Sequence, residues 1–452
     1  MLENFQNIID QLIPWAEWVM LIFVIGGGLF LLIVSKGLPY RFFRHSIEVL
    51  RGKHDHPEDK GEVNHIQALS SAVAATVGMG NISGVAIAIY NGGPGVVFWM
   101  WMTALIGMGI KFYSCTLAVM FRKETSDKLF LGGPMYYIEE GMGKRAKPLA
   151  LFYCMAGLVG VLPVFTVNQF TQTFMEVVQP QTYISLSLFQ WKLVVGLLLS
   201  ASTAWVIFGG LKKIANVSVS LVPLMVLLYF VSVIVVLIQN YTAILPAFKL
   251  IFVSAFNFQS LVQGGFWGMV ILGVRRAVFS NEAGLGTAPM FHGQSKTHVP
   301  VQEGLVAMLG PFIDTIVVCT FTALIIIVSG AYLDTTNNGI LMTLSAFENS
   351  LGHSGRIILM LLVSAFALST LFTYSYYGTK CLSYLTGRNS ANTYNIIYII
   401  SISFAAVATV SLVVGLIDLA YALMCIPNMI AVVWLSPKVT KALQEYRVNM
   451  KL

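Results

Sequence analysis

Apolar runs long enough to cross a lipid bilayer recur from one end of this chain to the other. A helical span needs about 20 predominantly apolar residues. Such runs fall at roughly 15–35, 66–90, 95–121, 148–176, 191–209, 214–239, 247–279 (interrupted), 303–330, 356–385, 393–415 and 417–435. Of the 452 residues, 57% are hydrophobic and 10% charged, whereas soluble domains carry about 25% charged residues. A water-soluble enzyme is excluded. The expected fold class is an all-α polytopic membrane protein with eleven transmembrane helices in one domain.

The basic residues orient it. Lys and Arg in short loops resist translocation. With the N-terminus outside, the cytoplasmic loops collect Arg41, Arg44, Arg51, Lys53, Lys60, Arg122, Lys123, Lys144, Arg145, Lys147, Arg275, Arg276, Lys438, Lys441 and Arg447. Lys192, Lys249 and Arg356 fall outward, and Lys111 lies within a helix. The net charge of +7 is therefore topological and implies no nucleic-acid partner. Residues 1–14 carry Glu3 and Asp10 and no basic leader, so no cleavable signal is expected. The expectation is a multi-pass bacterial inner-membrane protein with a cytoplasmic tail over 436–452.

Glycines interrupt two spans. The second reads Ala75-Thr76-Val77-Gly78-Met79-Gly80-Asn81-Ile82-Ser83-Gly84, and the seventh reads Ser260-Leu261-Val262-Gln263-Gly264-Gly265-Phe266-Trp267-Gly268. They lie five spans apart and run in opposite directions, as an inverted repeat of five plus five predicts. The repeats would cover 66–239 and 247–435, with 15–35 as an extra N-terminal helix. Unwinding at mid-depth frees backbone groups that something must satisfy. The N–H end of a half-helix suits a carboxylate, and freed carbonyls suit an ammonium group or Na⁺. A zwitterionic amino acid plus a cation fits both ends.

Three motifs resemble those of the alanine or glycine:cation symporter family. They are Ala75 to Gly84, Gly92-Gly93-Pro94-Gly95-Val96-Val97-Phe98-Trp99 continuing to Gly107, and Phe279-Ser280-Asn281-Glu282-Ala283-Gly284-Leu285-Gly286-Thr287-Ala288-Pro289. Val96 and Met79 depart from the usual residues. The resemblance implies a LeuT-like fold within the amino acid–polyamine–organocation superfamily, and Na⁺-driven uptake of alanine or glycine. It implies a substrate site at Thr76, Gly78, Met79, Gly80 and Asn81, faced by Gln263, Gly264, Gly265 and Phe266. A cation site would use the carbonyls of Ala74 and Val77 with the hydroxyls of Ser369 and Thr370. Na⁺ serves as coupling ion, and no other cofactor or obligatory protein partner is expected.

Intramembrane charges are functional candidates. Lys111 and Asp314 each fall about 15 Å deep at 1.5 Å per residue, which suggests an ion pair or gate. Asn281 and Glu282 are expected to cap the seventh span. The cysteines Cys115, Cys154, Cys319, Cys381 and Cys425 are scattered apolar fillers. His45, His54, His56 and His65 share a polar loop in which no spacing fixes a ligand geometry. The rivals are weaker. An intramembrane enzyme needs convergent acids, bases or metal ligands, and a channel needs a continuous polar lining. A proton-coupled transporter of another small amino acid is the nearest alternative.

Overall fold

The computed structural model describes residues 2–125, 129–181, 186–257, 265–334, 336–387 and 390–450. Almost all of it is helix. Eight described helices are long and apolar enough to span a membrane, and one bent pair brings the number to nine. Gly265–Asn281 and Ala391–Val407, at 17 residues each, fall short of that length. By length and composition the helices therefore reach nine, against the eleven expected.

The first helix starts earlier than its apolar run, at Leu2, and continues through a π-helical turn to Val34. It lies along the last helix, Val410–Asn449. That last helix does not stop at Ser436, because nothing between Trp434 and Tyr446 disfavours helix except Pro437, which is tolerated inside it. The span expected at 148–176 is two helices, Lys147–Gly160 and Val164–Val177; Pro163 restarts the chain after Gly160.

Two groups of helices organise the packing. Val96–Met120 packs on Gly265–Asn281 and Pro300–Ala307. Separately, Val164–Val177, Leu188–Ile207, His353–Thr386 and Ala391–Val407 pack on one another. Large apolar side chains such as Leu198, Trp205, Leu224, Leu227 and Phe404 point outward. Such a belt would be costly in water and is what lipid requires.

Arg275 and Arg276 are not loop charges. Both lie inside Gly265–Asn281, where Arg275 pairs with Glu17 at 2.5 Å and Arg276 with Asp418 at 3.3 Å. They count toward internal charge balance and not toward topology. A buried Arg keeps its charge and must be paired.

Candidate functional site

The helix His65–Thr76 opens with a capping box: Asn64 Oδ1 accepts from the Gln67 N–H at 2.8 Å, and Gln67 returns a bond to the Asn64 N–H at 2.9 Å. It ends at Val77, whose ψ of 88° leaves the helical region. Helix resumes at Gly80, and the two halves meet at 51°. The unwound residues 77–79 are the first break, where the sequence placed it.

The second break, expected over 260–268, falls largely on residues outside those described. Tyr241–Ala255 and Gly265–Asn281 are separate helices, so the expected seventh span merged two elements. Gln263 and Gly264 lie outside the described residues. Phe266 stacks edge-on with Trp99, away from residues 77–80, and Gly265, its neighbour, starts the helix. These two are not brought to the first break. The unwound stretch that is brought there runs from Glu282 to Thr287, before the short helix Ala288–His292. Three of its residues have left-handed backbone: Glu282 (φ 55°), Gly284 (φ 89°) and Gly286 (φ 82°). Glycine adopts that region without penalty, whereas Glu282 is held there at a cost of about 1 kcal/mol. The alternating glycines of Ala283-Gly284-Leu285-Gly286 were the legible signal.

Asn81 latches the two breaks together. Its Oδ1 accepts the Gly78 N–H at 2.9 Å, and its Nδ2 donates to Ser280 Oγ and to the Asp314 carbonyl, both at 3.1 Å. Thr322 Oγ1 donates to the Asn81 carbonyl at 2.7 Å. With both ends of its amide spent on protein and no exposure, Asn81 positions the break and is not among the residues that line the cavity beside it. Asn281 makes a tight turn out of its helix and does not cap its carbonyls: its Oδ1 accepts from the Ala283 N–H at 2.9 Å, and its Nδ2 donates to Thr315 at 3.0 Å. The Glu282 carboxylate accepts from Thr287 at 2.5 Å and from the Tyr374 hydroxyl.

Beside the first break lies a small cavity of about 20 Å³, lined by Ala75, Thr76, Gly78, Met79, Gly80, Phe165, Thr166, Phe279, Thr370, Tyr374 and Tyr421 among others. That is room for about one water. Its aromatic walls, Phe165, Phe279, Tyr374 and Tyr421, were not foreseen as site residues. Tyr374 stands four residues after Thr370, on the same helix face, so spacing could have found it. A larger cavity of about 350 Å³ is lined by Glu62, Tyr376, Lys380 and Asn395 among others, and includes no residue of either break.

On one wall, Thr370 meets the first break. Its Oγ1 lies 3.4 Å from the Ala74 carbonyl and donates to Phe366 O at 3.0 Å; Ser369 Oγ donates to the same carbonyl at 2.9 Å. A Cβ placed on Gly78 would overlap Thr370 Oγ1, so only glycine permits this approach. The expected residues Ala74, Ser369 and Thr370 are gathered here, with Val77 ending the half-helix beside them; the Phe366 carbonyl was missed.

The Lys111–Asp314 pair is not formed. Asp314 takes hydrogen bonds from Ser280 and from Thr315, the latter at 2.9 Å, and its second oxygen has no partner. Among the described residues Lys111 makes no contact within 4.0 Å with a carboxylate; its Nζ lies beside Gly310. Short hydroxyl donors hold one oxygen of the carboxylate instead. Gln169 and Asn168 brace other contacts: Gln169 bonds Ser83, and Asn168 donates to the Ala408 carbonyl at 2.6 Å.

Comparison with known proteins decides the family. The family model described as the sodium:alanine symporter family matches residues 1–452. The chain belongs to that family. It is 37% identical to the sodium/alanine symporter AgcS of Methanococcus maripaludis, over 96% of each chain. It is 32% identical to the amino-acid carrier protein AlsT of Bacillus subtilis, over 100% of this chain and 94% of that one. Among solved structures it resembles MhsT, crystallised in complex with L-phenylalanine, with a TM-score of 0.59 at 15% identity, covering 85% of this chain and 98% of that one. That likeness shows a LeuT-like fold. This member of the family is a membrane transporter and not an enzyme.

Proposed function

We propose that this chain couples inward Na⁺ movement to uptake of a small amino acid, alanine or glycine, at the cavity beside the first break. The approach of Thr370 to Ala74 and Gly78 carries the reading, because it sets hydroxyl and carbonyl oxygens around the end of a half-helix. Oxygen donors without nitrogen or sulfur suit a hard cation. The carbonyls of Ala74 and Val77, joined by Ser369 and Thr370, hold the Na⁺. The N–H groups of Met79 and Gly80 open the next half-helix, have no partner within it, and take the substrate carboxylate with help from the dipole.

The substrate is small because the walls are large. Phe165, Phe279, Tyr374 and Tyr421 wall a cavity that holds about one water, so it must open to admit even glycine or alanine, and the same walls leave least room for a long side chain. A relative from Bacillus subtilis, 34% identical, carries the name "Probable sodium/glutamine symporter GlnT", so size selection is the point to test. Transport proceeds by alternating access. Na⁺ ties residues 77–79 to 369–370, orders the unwound segment and raises substrate affinity, and the substrate raises Na⁺ affinity by the same factor. The four core helices that include the broken pair rock against the rest. The N-terminus lies outside and the C-terminus in the cytoplasm, as the loop charges favour, with repeats over 66–239 and 247–435.

The test is uptake of labelled alanine and glycine into proteoliposomes under an inward Na⁺ gradient, an inward proton gradient, or neither. Accumulation that requires the Na⁺ gradient supports the reading. Accumulation driven by protons alone discards the cation site and keeps the transporter.

A further inference from the structure

We propose that His45, Glu48 and His54 form a binding site for a single divalent cation of the zinc class, apart from the transport cavity. The helix Phe43–Leu50 sets His45 and Glu48 three residues apart on one face, and the turn that follows brings His54 back against them. His45 Nδ1 lies 3.7 Å and His54 Nε2 4.0 Å from the same oxygen, Glu48 Oε2. All three ligand atoms lie within 4.8 Å of one another. Tetrahedral ligands at zinc bond lengths stand about 3.4 Å apart, so the side chains need close only by about an ångström to reach that geometry.

What lies between them is unsatisfied. Both nitrogen–carboxylate separations exceed a hydrogen bond, and His54 Nε2 is enclosed with no hydrogen-bond partner. The second nitrogen of His45 is already engaged: Nε2 meets the Tyr446 hydroxyl at 2.7 Å, from the far end of Val410–Asn449. That contact turns Nδ1 toward Glu48, as an outer partner does for a metal-bound imidazole.

Two imidazoles and a carboxylate select Zn²⁺, Co²⁺ or Ni²⁺ over the oxygen-seeking Mg²⁺ and Ca²⁺, and leave a fourth position for water. The other histidine–carboxylate groups do not compete. His65 and His292 each hydrogen-bond Glu303 directly, and His298 does so with Asp59, so no gap is left between donor and acceptor. A cation at His45 would clamp residues 43–54 and, through Tyr446, the end of the last helix.

The test uses the full-length protein purified in detergent, stripped with chelator, equilibrated with micromolar Zn²⁺ and gel-filtered before metal analysis. The wild type should retain a single equivalent, and Co²⁺ should give d–d bands of four- or five-coordinate type. His54→Ala combined with Glu48→Gln should lose the equivalent while eluting as wild type; both side chains are partly exposed. Tyr446→Phe should weaken binding by about 10- to 100-fold, and Lys53→Ala, which frees Glu48 from its 3.5 Å partner, should tighten it. No retained zinc in the wild type, or an unchanged equivalent in the double variant, overturns the proposal.

Discussion

Replacing Gly78 with alanine tests the cation site through a single added methyl. The new Cβ would overlap Thr370 Oγ1 and stand 3.6 Å from Thr370 Cβ and 3.8 Å from the Phe366 carbonyl. The backbone at Gly78 is not left-handed, so the effect is one of space and not of conformation. Either the hydroxyl turns away or the two helices separate. Overpacking of this kind costs about 1–3 kcal/mol, and at 1.4 kcal/mol per decade the apparent Na⁺ affinity falls by about 5- to 150-fold. The assay is the Na⁺ dependence of alanine uptake in proteoliposomes, with thermal stability followed by fluorescence-detected gel filtration. Adding Thr370→Ala removes the overlapping atom, so the Gly78→Ala/Thr370→Ala variant should regain stability but not Na⁺ dependence. Gly84→Ala is the control, because its Cβ meets only the Phe279 ring at 3.6 Å or beyond. A Gly78→Ala protein with wild-type Na⁺ dependence would refute the reasoning, since the hydroxyl would then contribute nothing at that spot.

Other consequences are as direct. Asn81→Ala strands the Gly78 N–H and removes the donor to two further groups, Ser280 Oγ and the Asp314 carbonyl. At about 1–3 kcal/mol for each unsatisfied buried group, transport should be abolished and the melting temperature lowered. Exchanging charges in Lys111→Asp/Asp314→Lys should not rescue either single variant in uptake, because Asp314 is held by Ser280 and Thr315 and not by Lys111; rescue would restore the ion pair. Phe279→Ala should shift competition for uptake from alanine toward larger side chains, since Phe279 walls the cavity. Arg276→Met leaves Asp418 with only Arg275, its Nε at 3.7 Å, and breaking a buried pair costs about 3–5 kcal/mol. Thermal unfolding of the purified variant would measure that loss.

Much of this protein was legible in its residues because the bilayer imposes a simple rule: backbone polar groups must be paired within a span-length apolar helix. That rule carried the all-helical class and most span boundaries, as with Val96–Met120 against the expected 95–121. The first break was legible for the same reason, since Val77-Gly78-Met79-Gly80 interrupts an otherwise continuous run. The unwound stretch Ala283-Gly284-Leu285-Gly286 was not read as a break, because Gln263-Gly264-Gly265 looks as permissive and the contact that ties Asn81 to Ser280, some 200 positions away, leaves no local pattern. Arg275 and Arg276 read as loop charges for a related reason: their partners Glu17 and Asp418 are far away in sequence. Likewise helical rise suggested a pair between Lys111 and Asp314, but which donor reaches the carboxylate is a matter of side-chain geometry. Sequence alone determined where helices run and where they break, since both are local consequences of hydrophobicity and glycine. Tertiary structure decided which breaks face each other, which charges pair and which aromatics wall the cavity, because those depend on packing between helices distant in the chain.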